Sequence, residues 1–139
     1  MNRDRLTQRL TLDEALRLKP YRCSEGKLTI GVGRNLDDKG LTRQEALYLL
    51  SHDIDDAAAD ARSLVPGFDQ LDDVRQEVLV NMALNLGRDR LAGFRLFLAA
   101  VTRHDWAEAG RQMRDSKWYR QVKDRAERLA KAMETGVAP

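Results

Sequence analysis

Residues 13–34 read DEALRLKPYRCSEGKLTIGVGR, and the order of signals in them decides how the rest of the chain is read. A helix-like segment reaches a carboxylate at Glu14. Lys19-Pro20-Tyr21 then turns the backbone toward extended conformation, because the residue before a proline avoids the helical region. Ser24-Glu25-Gly26-Lys27 is a turn signal, and Leu28-Thr29-Ile30-Gly31-Val32-Gly33 is an extended run. Residues 21–34 therefore read as a hairpin with Gly26 at the turn. Gly31 and Gly33 thin one strand, which marks close approach by a ligand or another backbone, or a bulge. One acid on a helix end facing a small-residue hairpin is a layout suited to acid catalysis. The odd member is Cys23, nine residues past Glu14 and six before Thr29, where a second carboxylate is expected.

Outward from this stretch the chain is helical. Asn2 can cap a first helix carrying Leu6, Leu10 and Leu12 and ending near Glu14 to Leu16. After a short connection, Asn35 to Leu41, the run Thr42-Arg43-Gln44-Glu45 is a capping box. It opens a helix with Ala46, Leu49, Leu50, Ile54, Ala57, Ala58 and Ala61 at helical spacing, which stops before Val65-Pro66-Gly67. Asp72 to Leu86 is apolar almost all round and predicts a central buried helix closed by Gly87. Asn81 and Asn85 lie four apart on it and share a face, either fixing structure or lining a polar cleft. Shorter helices are expected from Phe94 to Thr102, from a cap at Asp105 to Arg114, and from Lys123 to Met133 with Gly136 as the stop. Trp118 and Tyr119 read as core or as a sugar-stacking platform, with core the heavier reading. The expected class is α+β and mainly α, with one small antiparallel hairpin or sheet near the N-terminus. The 139 residues predict a single domain of two lobes joined by the long helix: a hairpin lobe over about 14–45, and a helical lobe over about 60–139 plus 1–13.

Composition bounds the function classes. Apolar residues at 42% suffice for a core, and charged residues at 33% mark a soluble chain. No run approaches the roughly 18–20 apolar residues of a membrane span. The first nine residues lack the apolar stretch of a signal peptide, so synthesis without classical export is expected. One cysteine excludes an intrachain disulfide and a Cys-based zinc cluster, and His52 and His104 lie far apart, so no metal site is expected. The net charge is +2, unevenly spread. Asp37 to Ala61 holds seven acids against two bases, and Arg111 to Lys131 eight bases against three acids. Solvated helix faces account for this, as does a basic C-terminal lobe attracting a polyanion such as a cell-wall polymer or nucleic acid.

The ordered blocks resemble the short phage lysozymes of the T-even type over nearly the whole chain. They are Asp13-Glu14-x-Leu16-Arg17-Leu18-Lys19-x-Tyr21, Ser24-Glu25-Gly26-x-x-Thr29-Ile30-Gly31-x-Gly33, Val80-Asn81-Met82, Ala92-Gly93-Phe94, Ser116-x-Trp118-Tyr119 and Arg125-Ala126-x-Arg128. The resemblance implies that Glu14 is the general acid protonating the glycosidic oxygen and that Thr29 lies beside the attacking water. Cys23 falls where many members carry an aspartate, and resembles a minority of phage lysozymes with cysteine there. Arg125 matches the arginine that holds the catalytic glutamate, with Asn81, Asn85 and Gly31 as cleft residues. Asp13 and Arg128 match an ion pair between the first and last helices. Arg34 replaces a histidine paired with an aspartate on the long helix, and Asp53 matches that aspartate, which implies an Arg34–Asp53 bridge. The 35–41 connection is shorter than in the T-even enzyme.

Cleaving a glycosidic bond needs a proton for the leaving oxygen and relief of positive charge at the anomeric carbon, usually from two carboxylates. Glu14 can supply the proton if partial burial raises its pKa, while a nearby Arg125 would pull it down. A free thiol titrates near about 8.5, so little of Cys23 is thiolate at neutral pH unless something lowers that value. As thiolate it could orient or deprotonate water; as a neutral thiol it contributes little, and free cysteines are often small buried hydrophobes.

The expected activity is a muramidase cutting the β-1,4 bond between N-acetylmuramic acid and N-acetylglucosamine, acting as a phage lysis endolysin. A lytic transglycosylase giving 1,6-anhydro ends and a non-catalytic wall-binding module are the alternatives. Nucleic acid is the weakest reading, since no recognised binding motif accompanies the basic charge. The expected partner is the peptidoglycan glycan strand, bound by a monomer without cofactor, nucleic acid or membrane insertion. The expected location is the host cytoplasm until a holin-type pore opens, or else the phage particle.

Overall fold

Asn2 opens the first helix: in the computed structural model, which describes residues 1–139, its side-chain oxygen accepts the main-chain N–H of Arg5 at 2.8 Å. This helix, α1, runs Arg3–Glu14 and buries none of its residues. Three strands follow, β1 (Arg17–Arg22), β2 (Leu28–Gly31) and β3 (Arg34–Asn35). They form an antiparallel sheet in the order β1-β2-β3. Tyr21 pairs with Thr29 and Arg22 with Leu28, and an irregularity between Arg17 and Tyr21 absorbs Pro20. As an edge strand, β1 tolerates the missing proline N–H. Gly26 makes the turn at φ +77°, its N–H donating to the Cys23 carbonyl at 2.8 Å. The hairpin expected over 21–34 thus begins four residues earlier, at Arg17, and gains a third strand. Asn35 accepts the Asp38 N–H at 2.9 Å, closing the short connection with a side-chain turn.

Thr42 caps the long helix α2 (Arg43–Leu64) by accepting the Glu45 N–H at 3.1 Å. The chain divides into two compact units, Met1–Tyr48 and Leu49–Pro139, with the boundary inside α2. Residues 1–13 belong to the first unit, and Leu6, Leu10 and Leu12 of α1 are all exposed.

The second unit is built on α3 (Asp73–Leu86), which buries Val78, Leu79, Met82, Ala83 and Leu86. Each fully buried aliphatic side chain contributes about 1.5–3 kcal/mol. Around it stand α4 (Arg88–Ala92), α5 (Arg95–Thr102), α6 (Trp106–Arg114), α7 (Lys117–Val122) and α8 (Asp124–Thr135). Expected caps at Asp72 and Asp105 accept the N–H groups of Arg75 and Glu108, and Gly87 and Gly136 end α3 and α8. Trp118 is core, edge-to-face with Phe94 at 6.4 Å. Two helices escaped the sequence reading, α4 and α7, because five and six residues are too few to show a period. No helix is long and apolar enough to cross a membrane.

Charged side chains lock α8 at both ends. At its C-terminus the Arg75 guanidinium donates to the Met133 and Glu134 carbonyls at 2.8 and 3.0 Å and lies over the Trp106 ring at 4.1 Å. Nearer its start, Arg114 of α6 grips Glu127 through two hydrogen bonds of 3.0 and 3.1 Å, and also reaches Glu134. The Tyr119 phenol donates to Glu127 at 2.8 Å. Those two donors hold the Glu127 carboxyl down to a pKa of about 2. A carboxylate lowered on folding stabilises the native state above its unfolded pKa and loses that contribution as pH falls. Glu127→Gln is therefore expected to cost about 1 kcal/mol at pH 7 after solvent screening. The wild-type advantage should shrink from about pH 4.5 toward 2. Urea unfolding across that range checks it, and a pH-independent difference refutes it.

Candidate active site

Glu14 is the last residue of α1, and Ala15 breaks the helix at φ 58°. Its carboxyl lies against the main chain of Gly33: a Cβ there would sit 2.9 Å from Glu14 Oε2 and 3.2 Å from Cδ. Gly33 also holds φ +69°, a conformation other residues rarely adopt. Gly31 shares the positive φ at +70°, but nothing lies within 4 Å of the position its Cβ would take. The sequence treats the two glycines alike; the structure separates them. Gly31 serves the chain's bend, whereas Gly33 gives up a side chain to seat the carboxyl of Glu14.

Gly33→Ala accordingly tests the seat. The displaced atoms are the free end of a flexible side chain, so the stability cost is mainly backbone strain, about 1–2 kcal/mol. Activity should fall far more, by about a hundredfold, because a reacting group moved by about 1 Å costs that much. Unchanged turnover in a folded Gly33→Ala protein would sink the seat.

Thr29 and Cys23 come together across the β1–β2 turn. Thr29, on the inward face of β2, is 3% exposed and is the one polar residue in the buried set. Its hydroxyl donates to the Lys27 carbonyl at 2.8 Å. Cys23 ends the turn with its N–H on the Lys27 carbonyl at 2.9 Å, and it is half-buried. The main-chain N–H groups of Glu25 and Lys27, and the Thr29 hydroxyl, hold the thiol's pKa below its ordinary value. Thr29 has one hydroxyl proton for two acceptors. With the thiol protonated that proton goes to the Lys27 carbonyl; with the thiolate present it can turn to sulfur.

In the second unit Arg125, in the first turn of α8, donates from Nε and Nη2 to the Asn81 side-chain oxygen at 3.1 and 2.6 Å. Both groups line a groove of about 510 Å³ whose apolar wall includes Ile54, Val80 and Leu84. Asn85 is exposed and spends its oxygen on the Trp118 indole N–H at 2.7 Å. That contact fixes the tryptophan, and of the pair Asn81 is the one that lines this groove.

Inside the first unit Arg34 and Asp13 both have local partners. Arg34 pairs with Glu45, in the first turn of α2, at 2.8 Å and donates to the Gly40 carbonyl at 3.3 Å. Asp13 pairs with Arg9 at 3.6 Å, one turn back on the same face of α1. Sequence reasoning also missed Arg75 and Arg114, whose partners lie far along the chain and leave no local mark.

Comparison with known proteins identifies the family. The phage lysozyme family model matches residues 12–133. The pre-baseplate central spike protein Gp5 of Enterobacteria phage T4 is 31% identical over 94% of this chain, which spans 28% of that protein's length. Probable T4-type lysozyme 1 of Dictyostelium discoideum is 28% identical, over 91% of this chain and 92% of its own. Probable T4-type lysozyme 2 of the same organism is 26% identical over 94% of each. A family model covering most of the chain, together with a helix-end glutamate seated on a glycine-rich antiparallel sheet, shows that the chain belongs to the phage lysozyme family.

Proposed function

We propose that this chain is a muramidase that hydrolyses the β-1,4 bond between N-acetylmuramic acid and N-acetylglucosamine in peptidoglycan. The observation that carries the reading is that the first unit holds both a carboxyl at Glu14 seated on Gly33 and a thiol of lowered pKa beside Thr29. Glu14 donates its proton to the glycosidic oxygen as the bond to the anomeric carbon breaks. Thr29 holds a water whose oxygen bonds to that carbon, and the Cys23 thiolate takes the proton the water gives up. Glu14 ends as carboxylate and Cys23 as thiol, and both reset by exchange with solvent. Arg125 serves Glu14 in this reading, as the family resemblance implies.

The test is mass spectrometry of purified peptidoglycan digested by wild type, Glu14→Gln and Cys23→Ala. Reducing muramic ends support hydrolysis. Anhydro ends would assign a transglycosylase, in which the muramic 6-hydroxyl replaces water, and no cleavage at all would leave a wall-binding module. Cys23→Asp should retain turnover, since an anion stays at the same turn, whereas Cys23→Ala or thiol alkylation should lower it by about a hundredfold. Full turnover after complete alkylation makes the thiol a bystander.

Where the activity is used has two readings. Release at host lysis, as an endolysin, fits the similarity to free-standing T4-type lysozymes. Carriage in the phage particle fits the similarity to a central spike protein. Detection of the chain in purified particles selects the second, and its absence there selects the first.

A further inference from the structure

We propose that Arg114, Tyr119 and Glu127 are positioning residues that hold the Arg125 guanidinium on Asn81 against a strained joint at Lys123. The importance of Arg125 for turnover rests on the function proposed above; its positioning does not. A single residue joins α7 to α8, and Lys123 takes φ 47°, ψ −111° to do so. That is the mirror image of an extended conformation, open to glycine and costly for a residue with a Cβ. No side chain caps α8 at this point. Such strain persists only where its surroundings impose it.

Tyr119 imposes it from both sides of the joint. Its carbonyl accepts the Lys123 N–H at 2.8 Å, and its phenol donates to Glu127 at 2.8 Å. Glu127 follows Arg125 by two residues, and its own N–H closes the first turn of α8 on the Lys123 carbonyl at 3.0 Å. Arg114 then ties the same carboxylate to α6 with two hydrogen bonds. Both bonds from Arg125 end on one oxygen of Asn81, so a small rotation of that turn weakens both together. Relaxation at Lys123 is such a rotation, and the clamp on Glu127 opposes it.

The experiment follows the Nε–H resonance of Arg125, assigned by its disappearance in Arg125→Lys, and its exchange with deuterated solvent. Arg75 is the internal control, because its Nε–H is also bonded, to the Met133 carbonyl, outside the joint. Tyr119→Phe and Arg114→Lys should each speed exchange at Arg125 by about tenfold, the effect of one lost charge-assisted hydrogen bond, and leave Arg75 unchanged. Adding Lys123→Gly to Tyr119→Phe should restore protection, since glycine accepts the joint's conformation without strain. Protection that is unchanged in both single variants, that falls equally at Arg75, or that Lys123→Gly fails to restore overturns the proposal. Turnover measured on the same proteins separates the two readings: lost protection with full kcat upholds the positioning and removes Arg125 from the reaction.

Discussion

Glu14→Gln is expected to lower peptidoglycan turnover by about three orders of magnitude while the protein stays folded. The amide matches the carboxyl in shape and keeps its place against Gly33. It has no proton to give at the pH of the reaction, so the leaving sugar must depart as an alkoxide. The side chain is exposed and makes no ion pair inside the first unit, so the change in stability should stay within about 0.5 kcal/mol. Thermal unfolding and a turbidity assay on bacterial walls measure the two halves separately. Turnover within tenfold of wild type removes Glu14 from the role of acid. A large loss of stability would instead make any loss of lysis a folding effect.

Arg75→Ala should be the most destabilising single surface-to-core change, at about 3 kcal/mol. The side chain is 12% exposed, and its guanidinium does three things at once. It satisfies two carbonyls at the C-terminus of α8, pairs with Asp72 at 2.9 Å, and stacks on Trp106. Truncation leaves the carbonyls without their donor and opens a gap beside Gly136, whose Cβ position lies 2.8 Å from Arg75 Nη1. For a chain of this length the loss corresponds to a fall in Tm on the order of 10 °C. Arg75→Lys keeps the charge and loses the fork, so about half the effect should remain. A cost below about 1 kcal/mol for the alanine variant would mean that solvent replaces the guanidinium at little expense.

The sequence makes legible whatever is local. Asn2, Thr42, Asp72 and Asp105 announce helix starts because a cap is a contact over three residues. Gly87 and Gly136 announce stops for the same reason. β3 went unread because Arg34 and Asn35 are polar, and two residues cannot show alternation. The candidate site was read from the order of its blocks, and Glu14, Cys23 and Thr29 all fall in the first unit. The long-range contacts of the second unit left no such mark. Arg114 meets its partners 13 and 20 residues on, and no spacing rule links them. The Arg34–Glu45 pair, inside the first unit, went unread because eleven residues and a connection separate its partners.

The donors around Cys23 are mostly main-chain N–H groups, which belong to the turn and not to any side chain. An anion at position 23 is therefore welcomed by the backbone whatever its chemistry. Carboxylate and thiolate become interchangeable tenants of one cradle, and a lineage can pass between them by substitution at a single codon's position without rebuilding its surroundings. Such a cradle leaves the anion as the variable part of the turn and the main chain as the inherited one.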